Sequence, residues 1–206
     1  MKQAARSERS RTQILAAALR LFSSHGYRGT NMRKIAEAAG VSTGNVYHQF
    51  DDKEAIFRTL LDEYATIVAS PSYPFNQAIA DGLFPGDLLK LGEAIRRSLV
   101  ETRGHALLTY VDVLEFDGKH LRRFYDDSTA RFEAYLLTPT GRQLASQLRP
   151  GVAPLGALQV GTRILFNYFV AEVLFGVSNS FGRDTALVMG EVTDLLNHGL
   201  LPCKKP

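Results

Sequence analysis

The 206-residue chain has no tryptophan, three methionines and a single cysteine, Cys203. One cysteine excludes a disulfide framework within the chain and fits a reducing cytoplasm. Long apolar runs are missing too. The most apolar stretch, Ile164 to Val177, is 14 residues long and is interrupted by Glu172. A bilayer needs about twenty, so no membrane span is expected. Near the start, Ile14 to Leu19 is too short and too helically spaced for a signal peptide. The five histidines (His25, His48, His105, His120 and His198) include no pair at tight metal-ligand spacing. Asp112, Glu115, Asp117 and His120 stand close together, but Asp117-Gly118 breaks the helix there, and they read as a solvated corner. Neither a metal nor a cofactor is expected. Strand-like alternation and internal repeats are absent, which leaves an all-α fold.

What is present is unevenly distributed. Residues 1–53 hold nine Lys/Arg against four Asp/Glu, a net of +5, and residues 54–206 hold fifteen against seventeen, a net of −2. A basic head on a slightly acidic body implies a polyanion partner for the head alone.

The head reads as three short helices. Ser10 and Gln13 have capping-box spacing, Ile14, Leu15, Ala18, Leu21 and Phe22 form one apolar face, and Gly26 stands where a left-handed C-cap is cheapest. Thr30 is the expected cap of a second helix with Met32, Ile35, Ala36 and Ala39 inside. Gly40 ends it. Ser42 then caps a third helix that turns Val46 and Phe50 inward and Thr43, Gly44, Asn45, Tyr47 and His48 outward. This helix is about 10 Å long, a fit for a major groove about 12 Å wide. Gly44 permits close approach. Asn45 has the donor and acceptor that adenine's edge matches. Thr43 adds a hydroxyl and a methyl, and Tyr47 and His48 can reach phosphates. Asp51 and Glu54 form a further capping-box pair. Lys53, in the first turn of the helix they open, opposes the helix dipole and reads as a phosphate ligand.

The remainder is helical: Lys53 to about Ser70, a loop over 71–84, Pro85 to Thr102, His105 to Phe116, Asp117 to Leu137, a short Thr140 to Leu148, then Gly156 to Ser178 and Asp184 to Leu201. The penultimate helix has no polar face. One side can meet its own core, and the other calls for the same helix of a second subunit.

Thr30, Ile35, Ala36, Gly40, Val41, Ser42, Gly44, Tyr47, Phe50, Lys53 and Glu54 together resemble the DNA-binding domain of TetR-type transcriptional regulators. Gln49 stands where that family often has histidine. The resemblance covers about a quarter of the chain. It implies a DNA-binding domain over 1–52 and an effector-binding and dimerisation domain over 53–206. It also implies a homodimer through the last two long helices and a small-molecule pocket among the middle ones. On that reading Arg9, Arg11, Thr30, Tyr47, His48 and Lys53 hold phosphates of double-stranded DNA, and Thr43, Gly44 and Asn45 meet base edges beside the capping Ser42. Aromatic and polar candidates for an effector are Tyr64, His105, Tyr110, Phe124, Phe132, Tyr135, Arg163, Phe166, Asn167 and Phe169.

The expected function is a cytoplasmic, ligand-responsive repressor, with a DNA-binding regulator lacking an effector as the alternative. Gly40-Val-Ser-Thr-Gly44 also spells the nucleophile elbow of hydrolases. That chemistry needs a strand before the serine, whereas Ile35 to Ala39 reads as helix, so no enzyme is expected.

Overall fold

The computed structural model describes residues 2–178 and 182–200, and within them every regular element is a helix. In chain order these are α1 (Lys2–His25), α2 (Met32–Ala39), α3 (Thr43–Gln49), α4 (Lys53–Ala69), α5 (Pro74–Ala80), α6 (Leu88–Glu101), α7 (Arg103–Phe116), α8 (Arg122–Leu136), α9 (Pro139–Gln147), α10 (Pro154–Val173) and α11 (Thr185–Leu200). Cys203 and the expected helix end at Leu201 lie outside the described residues. No helix among the described residues is long and apolar enough to cross a membrane.

The chain packs as two compact units. One runs to Ile67 and adds Gly104–Phe124; the other takes Val68–Arg103 and the described residues from Tyr125 onward. The first unit buries Ile14, Ala18 and Phe22 of α1, Ile35 of α2, Val46 of α3, Ile56, Phe57 and Leu60 of α4, and Leu108 of α7. Phe57 lies at its aromatic centre, with its ring 5.5 Å from Phe22, 5.5 Å from Tyr27 and 5.1 Å from Phe116, centroid to centroid.

In the second unit α6 supplies Leu88, Leu91, Ile95 and Leu99, which face Leu158, Leu165 and Phe169 of α10 and Val188 and Met189 of α11. Close approach is needed at Gly161, where a Cβ would lie 2.6 Å from the ring of buried Phe84. Alanine gains about 1 kcal/mol over glycine in a helix. Forcing an atom into a filled core costs about 1–3 kcal/mol, and a fully packed ring has nowhere to retreat. Gly161→Ala is therefore expected to lower stability by about 1 kcal/mol net, read from the urea midpoint. A raised midpoint would show that the contact yields. Arg103 donates to the carbonyls of Val173 (3.1 Å) and Leu174 (3.3 Å), which satisfies orphan acceptors at the end of α10.

Four local expectations are corrected. α1 begins at Lys2, so Ser10 is an interior, buried helix residue and not a cap. The stretch 71–84 contains α5. Its Tyr73 cap makes no side-chain hydrogen bond, and it is held instead by Phe75 N–H on Ser98 Oγ (3.0 Å) and by Asn76 on the carbonyls of Val68 and Ser70. α6 starts after Asp87, whose carboxylate accepts Lys90 N–H, and not at Pro85. The corner at Asp112 is not solvated. Asp112 is fully buried and accepts the backbone N–H of His120 and of Leu121, each at 3.2 Å, and lies 2.5 Å from His120 Nδ1. Asp117 (φ 54°) and Gly118 (φ 69°) fold the chain back to make this possible. No cluster of three or more metal-ligating side chains occurs among the described residues.

Candidate nucleic-acid interface

α2 and α3 are joined by a tight turn that their sequences dictate. Gly40 takes φ 68° at the end of α2 and donates back to the carbonyls of Ala36 and Glu37. Ser42 then caps α3, its hydroxyl accepting Asn45 N–H at 3.2 Å. This places Val46 inward with no exposure. It leaves Gly44, Tyr47 and His48 exposed and Thr43 half-exposed on the outer side. A Cβ on Gly44 would meet only Ser42 Oγ, at 4.0 Å, so the helix surface there is open. Beside it lies a depression of about 380 Å³ lined by Asn31, Met32, Arg33, Thr43, Tyr47 and Lys53.

The structure reassigns several expected contact residues. Thr30 is 1% exposed and donates to Gly26 O at 3.0 Å, so its side chain has no free path to a phosphate. The cap of α2 is Asn31, whose amide oxygen accepts Lys34 N–H at 2.9 Å. Asn45 is half-buried, and its side-chain oxygen accepts the hydroxyl of buried Ser10 at 2.8 Å. A bidentate contact with adenine needs that oxygen, so here Asn45 joins α3 to α1. Gln49 does likewise, donating to Ser7 Oγ at 2.7 Å.

Lys53 is also committed internally. Its ammonium donates to the carbonyls of Tyr27 (2.7 Å) and Thr30 (2.8 Å) and sits 3.9 Å from the Tyr27 ring centroid. Burial pushes its pKa down. These partners explain a lysine in the first turn of a helix better than a phosphate does. The cap of α4 is Asp52, accepting Ala55 N–H at 2.7 Å, and not Asp51. Arg11 stacks its guanidinium over Phe50 at 4.4 Å, and Arg9 is exposed. Arg33 was missed by the sequence reading. It sits 82% exposed at the start of α2 with one surface ion pair to Glu37, and its position just after an Asn N-cap was the available signal.

The ten effector candidates divide between the units. In the first, Tyr64 stacks on His105 (6.0 Å, 13°) and on Phe124 (5.6 Å, 9°), while Tyr110 is partly exposed on α7. In the second, Phe132 and Phe166 both pack against Phe75, at 6.3 and 5.1 Å. Tyr135 buries its hydroxyl without a hydrogen-bond partner, Phe169 is core, and Arg163 and Asn167 are exposed on α10.

His105 Nε2 lies 3.9 Å from Glu63 Oε2. Burial lowers the pKa of His105 and, against the opposing charge of Arg11, raises that of Glu63. The signs are opposite in effect. Below the ordinary histidine value of 6.5 the unfolded chain takes up a proton that folded His105 resists, so stability falls as pH falls. Folded Glu63 takes up its proton early, which adds stability toward acid. His105→Gln is expected to lose less stability than the parent between about pH 7.5 and 5.5. Parallel pH profiles of the two urea midpoints would refute the assignment.

A helix-turn-helix with an exposed, polar second helix and a basic flank is the architecture of a DNA-binding head. Residues 14–60 match the family model of bacterial regulatory proteins of the tetR family. The N-terminal head is therefore similar to the DNA-binding domain of that family. The chain is 45% identical over 60 residues to the HTH-type transcriptional repressor AcnR of Corynebacterium efficiens, a match covering 29% of this chain and 32% of that protein. It is 36% identical over 92 residues to the HTH-type transcriptional regulator RutR of Escherichia coli K12, covering 45% and 41%. The matches thus span about a third to two-fifths of these relatives. The crystal structure of NalD, the secondary repressor of the MexAB-OprM multidrug efflux pump in Pseudomonas aeruginosa, shares the fold. Its TM-score is 0.61 at 21% identity, over 97% of this chain and all of that one.

Proposed function

We propose that this chain is a cytoplasmic, ligand-responsive transcriptional regulator. It represses from a near-palindromic operator and is released by a small apolar or amphipathic molecule. The observation that carries the DNA-binding part is α3: a capped helix whose outer side holds Thr43, Gly44, Tyr47 and His48 with no side chain obstructing Gly44. Residues 1–52 read DNA and 53–206 serve the effector and the dimer. Thr43 and Gly44 meet base edges, while Arg9, Arg11, Arg33, Tyr47 and His48 hold phosphates. Ser42, Asn45 and Lys53 keep those groups in place.

A homodimer is supported by α10, which buries Leu158, Leu165 and Phe169 on one side and exposes Val160 and Ile164 on the other. On α11, Leu187 and Leu195 are exposed. Joining these surfaces with their copies gives two heads, whose recognition helices enter successive major grooves roughly 34–36 Å apart. α4 carries the switch, since the chain passes from one unit to the other within it. A ligand acts by favouring the tilt of α4 that spoils the spacing of the heads.

The test is selection of duplexes from random sequence by the purified protein. Selected sites should show a twofold-symmetric pattern and an affinity that falls steeply with salt. A monomer, or no retained duplex at low salt, would end this reading. Compounds that raise the melting temperature should then weaken operator binding. Equal affinity with and without each of them would leave a DNA-binding regulator with no effector.

A further inference from the structure

The loop between α1 and α2 is held from outside its own sequence. Gly26 turns the chain out of α1 with φ 73°. The next two backbone N–H groups, of Tyr27 and Arg28, find their acceptors in one side chain 88 and 87 residues later. Tyr27 N–H donates to Glu115 Oε1 at 2.8 Å, and Arg28 N–H donates to Glu115 Oε2 at 2.8 Å. Each carboxylate oxygen takes one donor, and hydrogen bonds to an ionised acceptor are the stronger kind. The Arg28 guanidinium adds a looser approach at 3.7 Å, and the Glu115 side chain is only 17% exposed. A Cβ on Gly26 would stand 2.8 Å from Glu115 Oε1, so glycine serves both the left-handed turn and the carboxylate.

The other edge of the loop meets a cation. The Lys53 ammonium takes the carbonyls of Tyr27 and Thr30. The loop's donors therefore face an anion from α7 and its acceptors a cation from α4. α7 itself is anchored by Leu108, fully buried, and by Phe116 stacked on Phe57. Three residues after Phe116, Lys119 donates to Glu54 in the first turn of α4 at 2.8 Å.

We infer that Glu115, although on α7 and remote in sequence from the helix-turn-helix, is a positioning residue for DNA binding. By clamping the N–H groups of Tyr27 and Arg28 it fixes where α2 starts, and α2 carries α3 through the tight turn at Gly40. The inference rests on the proposed DNA-binding function. It makes α7 a structural part of the reading head.

Electrostatics and positioning predict opposite signs here. Removing Glu115 makes the protein more positive, which by charge alone tightens binding to any duplex. Loss of the clamp leaves two N–H groups without their partner and loosens the selected site. Glu115→Ala should bind a duplex selected by the parent about tenfold more weakly. Its affinity for unselected duplex should stay equal or rise. Glu115→Gln makes the same charge change but keeps one acceptor oxygen, so it should fall between the two. It also serves if the alanine variant does not fold. Amide exchange at Tyr27 and Arg28 should quicken in either variant. Equal or tighter binding of the selected duplex by both variants, or unchanged exchange at these two amides, would overturn the inference while the parent's DNA binding stood. Failure of the parent to select any duplex would overturn the function on which it rests.

Discussion

Glutamate in place of Gly44 is expected to abolish operator binding while leaving the fold as stable as before, or more so. Gly44 is the second residue of α3 and faces open space. Replacing a helical glycine gains up to about 1 kcal/mol. An acid in the first turn of a helix gains a further 0.3–1 kcal/mol or so. Against DNA the same carboxylate meets phosphates and the negative potential of the groove. Like charges brought together at an interface cost several kcal/mol, so the loss should exceed about a hundredfold. Circular dichroism melting and anisotropy with a selected duplex read the two effects separately. Gln143→Glu makes the same charge change on an exposed position of α9 and is the control. Binding by Gly44→Glu within a few-fold of the control would mean that α3 does not enter a groove.

The second large effect is on stability. Phe57→Ala removes a fully buried ring at the junction of α1, α4 and α7. It also removes edge and stacked contacts to Phe22, Tyr27 and Phe116. Truncation of a buried phenylalanine costs about 3–5 kcal/mol, because the cavity closes only in part. For a domain of ordinary stability, about 5–15 kcal/mol, that is a large fraction of the whole. DNA binding should be lost at temperatures where the parent binds, and urea unfolding should move to much lower denaturant. A loss below about 1 kcal/mol would place the centre of this core elsewhere.

The parts of the head that were legible are those set by neighbours in the chain. Ser42 as a cap, Gly40 and Gly26 as left-handed stops, and Val46 and Phe50 inward all follow from spacing within a turn or two, and the structure shows each of them. Several polar side chains of the head and of α7 have partners far along the chain. Asn45 turns to Ser10, Lys53 to Tyr27 and Thr30, and Glu115 to Tyr27 and Arg28. The amide of Asn45 and the ammonium of Lys53 suit DNA as well as they suit a neighbour within the fold. α5 was hidden for the same reason: with no side-chain cap, it depends on Ser98 and on carbonyls of the preceding turn.

Local sequence determined that this protein is helical, that its basic head ends in a short capped helix, and that Thr43, Gly44, Tyr47 and His48 lie on that helix's outer side. Helical periodicity and capping act over three or four residues, so one chain suffices to read them. Only the tertiary structure decided which polar groups remain available to DNA and which are already spent inside the fold. A buried hydrogen bond depends on distance in space, and residues 35 or 88 positions apart acquire that distance only when the helices pack.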